Sequence, residues 1–277
     1  MKDIAGVQHV PARPMLFLLS MSYSLAGIIA SKILALQFIG ALGVAMTALG
    51  LVELTREFFA RHRDISWNPD AGTPYAASTE LVVNLMTVLF GIVAAFFLFA
   101  VTIRKSVVLD LFSFQINGVF FNKLIYYGLP FGEMFGKAFL SGVVLTGISF
   151  FLAAIYKEAG MALILSWTGS LWGIAMAILI RHGGMGASAA LQSLLIVDPE
   201  NFARASLLLV ALAAQSVAFI NSGMTGLFLA RGALKYSLRS SQFRAVAHTS
   251  LRLFGAALGF LMCAAALTAY AISRDGG

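Results

Sequence analysis

Several apolar runs in this chain are long enough to cross a lipid bilayer, and they hold almost no carboxylates. Residues 81–103 and 206–230 each exceed the roughly 18 apolar residues that mark a membrane span. A soluble helix of that length keeps a charged face turned to water, and these runs have none. Charged residues make up 11% of the chain, against about 25% in a typical soluble domain. The fold expected is therefore all-α: a polytopic transmembrane helix bundle with six to eight membrane segments. Residues 1–277 form one integral membrane domain, because the longest polar loop, 53–80, is too short to fold alone.

The expected spans follow hydropathy. Residues 15–52 are apolar except for Lys32 and Gln37. One straight helix over that stretch would run about 57 Å, well beyond the ~30 Å hydrocarbon core. It is therefore broken or double: either two short spans meet near Lys32, or 15–31 lies at the surface and one span covers 33–52. Further spans are expected at 81–103, 138–156, 159–180, 206–230 and 253–272. Residues 106–117 place Ser106, Asp110, Ser113 and Asn117 on one helical face, which predicts an amphipathic helix lying in the interface.

Loop charge predicts orientation. Residues 231–252 carry Arg231, Lys235, Arg239, Arg244 and Arg252 without an acid, and 104–137 is also net basic. Both are expected in the cytoplasm, with the acid-rich 53–80 outside. Three spans separate the two basic stretches, however, where an even number is required. A short or re-entrant segment at 182–197, interrupted by Gly183, Gly184 and Gly186, supplies the missing crossing. A surface helix there, with one violation of the charge rule, is the alternative.

Candidate functional residues are few. Gln215, Ser216 and Asn221 put two amides and a hydroxyl near the middle of 206–230, where each needs a hydrogen-bonding partner. Asn84 shares a helix face with Thr87 and Gly91 by spacing. Both sets suit a polar path or, more commonly in membranes, helix packing. Glu133 stands four residues before Lys137, which predicts an ion pair at the start of a span; a pore-mouth acid is the functional alternative. Gly169 with Gly173, and Gly255 with Gly259, are GxxxG pairs that predict close helix contact. Arg231, Lys235 and Arg239 repeat at i, i+4 and i+8, a spacing suited to anionic lipid headgroups.

Enzyme signatures are lacking. The chain has one cysteine, Cys263, and four histidines, His9, His62, His182 and His248, without paired-ligand spacing. No metal and no cofactor is expected. The net charge of +7 points to the lipid bilayer as a partner, not to nucleic acid. Two functions fit. One is a non-catalytic multi-pass inner-membrane subunit: a scaffold, channel-forming or assembly component of a larger membrane complex such as a transport or secretion system. It would associate with other membrane subunits or with itself. The other is a small-solute permease with a site near 183–186 and 215–221.

Overall fold

Proline marks where several helices begin. The computed structural model describes residues 12–34, 39–61, 74–102, 130–182 and 199–272. These hold seven helices: α1 Arg13–Leu34, α2 Ile39–Arg61, α3 Pro74–Thr102, α4 Phe131–Tyr156, α5 Glu158–His182, α6 Pro199–Lys235 and α7 Ser241–Ile272. Pro14 lies in the first turn of α1, Pro74 and Pro199 open α3 and α6, and Pro130 directly precedes α4. A helix start leaves its first N–H groups unbonded in any case, so proline's missing donor costs little there. Glu133 places negative charge in the first turn of α4, favourable against the helix dipole. At α7, Ser240 Oγ accepts from the Phe243 N–H at 3.1 Å, a side-chain cap of one otherwise unbonded donor.

The apolar stretch 15–52 is broken in two. A Cβ on Gly27 of α1 would lie 2.8 Å from the Thr47 nitrogen of α2, and Gly50 of α2 rests on Tyr23 of α1. The paired positions rise along α1 as they fall along α2, so the helices are antiparallel. Residues 35–38 lie outside the described residues, whereas Lys32 stands in the last turn of α1.

The same contacts fix the other directions. Gly169 of α5 lies on Leu89 and Ile92 of α3, and Gly173 lies on Val93, Phe96 and Phe97; α3 and α5 run in parallel. Ser222 and Gly226 of α6 meet Thr146 and Phe150 of α4, again in parallel. Lys157 alone joins α4 to α5, with φ 54° and ψ −124°. This tight reversal forces the two helices close together, and a Cβ on Gly160 would collide with the Leu152 carbonyl. α6 and α7 are antiparallel, joined by 236–240, with Thr225 beside Ser250 and Gly232 beside Val246. The seven described helices therefore alternate in direction. One end of the bundle holds the start of α1, the end of α2, the α4–α5 turn and the α6–α7 turn. The other holds the start of α4, the end of α5 and the start of α6.

Hydrophobic burial concentrates where α2, α3, α5 and α6 meet. Leu51, Leu89, Ile92, Phe96, Met161, Leu165, Met224 and Leu227 are fully enclosed. Phe90 meets Trp172 edge-to-face at 6.4 Å between centroids. On α4, by contrast, Leu140, Val144, Ile148, Phe151 and Ile155 are exposed along one helical face. A stripe of that size facing water would be strongly unfavourable, and lipid removes the cost. Five described helices are long and apolar enough to cross a membrane: α1, α3, α4, α6 and α7. α6, at 37 residues, is about 55 Å long and must project beyond a ~30 Å core.

Two expectations about orientation are corrected. Thr55 Oγ1 of α2 donates to the Glu158 carbonyl at 3.3 Å, so the end of α2, from Glu53 onward, shares an end of the bundle with Arg231. Residues 53–61 and 231–252 therefore do not lie on opposite sides. The start of α4, with Glu133 and Lys137, lies instead at the end opposite to Arg231. Three described helices, α4, α5 and α6, separate these basic regions, and α5 finishes at the end where α6 begins. The two basic stretches fall at opposite ends because basic residues stand at both, although more of them at the Arg231 end: Arg13, Arg56, Lys157, Arg231, Lys235, Arg239 and Arg244, against Lys32, Lys137 and Arg204. The proposed segment 182–197, apart from His182, and the interfacial helix 106–117 lie outside the described residues.

Candidate functional site

α6 touches α3, α4, α5 and α7, and small residues let it do so. Gly223 faces Met161 and Ile164 of α5, while Gly226 lies against the Phe150 carbonyl of α4. Ala218 packs with Ala257 and Leu261 of α7. Among these contacts runs a ladder of buried polar residues: Gln215, Ser216, Asn221, Ser222 and Thr225. Two of them bond across helices. Ser222 Oγ donates to the Thr146 carbonyl of α4 at 2.7 Å. Thr225 Oγ1 donates to the Asn221 carbonyl at 2.8 Å and reaches the Ser250 carbonyl of α7 at 3.3 Å. In the absence of water, such bonds hold helices together at about 1 kcal/mol each.

Ser216 and Asn221 are the exceptions on this ladder. Asn221 is 4% exposed, and its Oδ1 has no hydrogen-bond partner among the described residues. The Oγ atoms of Ser166, Ser216 and Ser250 share that condition. A serine hydroxyl can rotate to the carbonyl one turn back, but an amide oxygen only accepts and needs a donor brought to it. An unmet acceptor of this kind costs about 1–3 kcal/mol.

The other candidate residues are dispersed. Asn84 is buried on α3, two turns before Gly91, which packs on Ser20 and Phe17 of α1. That spacing turns Asn84 toward the α1 side, away from the α6 ladder. Thr87 bonds to its own helix, at the Val83 carbonyl, 3.0 Å away. Glu133 pairs with Lys137 at 2.7 Å, with half of the carboxylate side chain exposed. Gly169 and Gly173 form a close seam within the chain, whereas a Cβ on Gly255 or Gly259 would meet nothing within 4 Å. Residues 183–186, the other half of the permease site, lie outside the described residues.

The cation series takes a different form from its spacing. α6 stops at Lys235, and Arg239 stands in the turn that follows, so the i, i+4, i+8 face ends at its second member. Arg231 turns inward to pair with Glu158 of α5 and stacks over the Phe59 ring of α2, 5.8 Å from its centroid. Their side chains are only 22% and 19% exposed for Arg231 and Glu158. With the Thr55 bond, this clasp joins α2, α5 and α6 at one end of the bundle. Sequence reasoning missed Glu158. Its one signal was an acid standing alone between two spans, 73 positions from its partner.

Chemically, the arrangement favours cohesion. Among the described residues no three His, Cys, Asp or Glu side chains gather as a metal site. Cys263 and His248 are exposed on α7, apart from the buried ladder. Comparison with family models, with curated proteins and with solved structures finds no match for this chain.

Proposed function

We propose that this protein is a non-catalytic multi-pass membrane subunit, a scaffold or assembly component within a larger membrane complex. The observation that carries this reading is the use made of the interior polar groups. Ser222 and Thr225 spend their hydroxyls on the backbones of α4 and α7, and the inner glycines are closed by neighbouring helices. Hydroxyls bonded to the backbones of neighbouring helices in this way suit a structural role. All seven described helices cross in this reading. The Arg231 end faces the cytoplasm of a bacterial inner membrane, because Arg13, Arg56, Lys157, Arg231, Lys235, Arg239 and Arg244 stand there. A transport or secretion machine is the kind of assembly that uses such a subunit.

Mass measurement in mild detergent tests the assembly, which should exceed one chain. Cysteines placed at Gly132 and Leu234, with Cys263 replaced by alanine, test the topology. They should label from opposite sides of sealed vesicles, and labelling from one side would refute the crossing count.

The second reading, a small-solute permease, rests on Asn221, whose free acceptor would suit a neutral hydrogen-bond donor. Solute uptake into proteoliposomes abolished by Asn221→Ala or Gln215→Ala would favour it. Unchanged uptake in both variants would remove the site.

A further inference from the structure

The turn between α6 and α7 carries cations that pair with no acid among the described residues. From residue 201 to residue 274 the sequence contains neither Asp nor Glu. Arg231 obtains its partner from α5, through Glu158. Lys235, Arg239 and Arg244 are exposed and make no ion pair with a described residue. The first turn of α7 adds no acid.

Large apolar side chains stand among these cations. Leu234 and Leu238 are 76% and 65% exposed, although both lie within a few residues of the charged groups. The Lys235 ammonium sits 5.2 Å from the centre of the Tyr236 ring, and tyrosine favours the boundary between headgroup and hydrocarbon. Lys235 is one helical turn, about 6 Å, beyond the Arg231 clasp. The turn thus presents positive charge and apolar surface together at the depth where a membrane changes from one to the other.

We propose that this turn is a binding site for anionic phospholipid headgroups. Lys235, Arg239 and Arg244 meet the phosphate, and Leu234 and Leu238 enter the adjoining acyl region. An acidic segment of a partner protein would answer the cations but leave two leucines in water, so the lipid accounts for more of the surface. This site does not depend on the subunit reading above.

The test uses the 277-residue chain in nanodiscs of mixed phosphatidylcholine and phosphatidylglycerol, with the lipids retained on the protein identified by native mass spectrometry. The wild type should enrich phosphatidylglycerol. Each cation near an anionic surface contributes about a fivefold preference, so K235Q/R239Q/R244Q should lose on the order of a hundredfold. R239K/R244K should keep the enrichment, and so should K137Q at the opposite end of the bundle. If the triple variant loses its wild-type thermal midpoint, R239Q alone should still show about a fivefold loss. Equal enrichment in wild type and R239Q, or an equal loss in K137Q, would overturn the proposal. So would a wild type without phosphatidylglycerol enrichment whose cations are protected by an acidic protein.

Discussion

The inner seam of α3, α5 and α6 and the outer faces of α4 and α7 are written in the same sequence vocabulary, yet they use it differently. Each region has a GxxxG pair, an acid with a base, and helical serines. Gly173 lies so close to α3 that a Cβ would come within 2.5 Å of the Val93 carbonyl, whereas Gly259 opens onto empty space. Glu158 and Arg231 close over each other and Phe59, whereas Glu133 and Lys137 pair at a surface. Ser222 bonds to another helix and Ser141 to its own, at the Ala138 carbonyl. Local sequence sets the available chemistry. Which side of the helix turns inward decides whether that chemistry holds the bundle together.

Paired substitutions can break this contrast, and the largest effect belongs to the glycines. Gly173→Leu forces a side chain into the backbone of α3 and should cost about 3 kcal/mol or prevent folding, while Gly259→Leu should leave the thermal midpoint in mild detergent unchanged. Similar losses in both would erase the distinction between seam and outer face. Next come the ion pairs. Arg231→Ala strands a largely covered carboxylate and should cost about 1–2 kcal/mol, between the values for exposed and fully buried pairs. Lys137→Ala should cost about 0.5 kcal/mol or less. Equal shifts in chemical or thermal unfolding would show that the clasp adds nothing. The smallest contrast is between hydroxyls. Ser222→Ala should cost about 1 kcal/mol for a lost interhelical bond, and Ser141→Ala close to zero.

Hydropathy made the membrane class legible, because an apolar run without charge has few other solvents. The break within 15–52 was legible too, as a matter of length against bilayer thickness. What hydropathy does not carry is direction around the helix. Gly169–Gly173 and Gly255–Gly259 read alike, and only the neighbours of α5 and α7 separate them. The extension of α2 through Glu53, Arg56 and Glu57 to Arg61 was hidden because a helix leaving the membrane becomes polar without ceasing to be a helix. Its exposed Arg56–Glu53 pair at 2.6 Å belongs to that protruding end. The Arg231 series looked continuous because periodicity does not register where α6 stops. Glu158 was passed over because its partner is remote in sequence. The two basic stretches were expected together and stand apart for a simpler reason: basic residues lie at both ends.

The central claim is that the buried polar ladder of α6 joins helices in a subunit built for assembly. Native mass spectrometry of the chain, extracted with its surroundings in mild detergent, tests it most directly. A stable complex larger than one chain, retained in the Asn221→Ala variant, is the predicted result. A lone monomer that instead transports a neutral solute, and loses that transport with Asn221→Ala, would contradict the account.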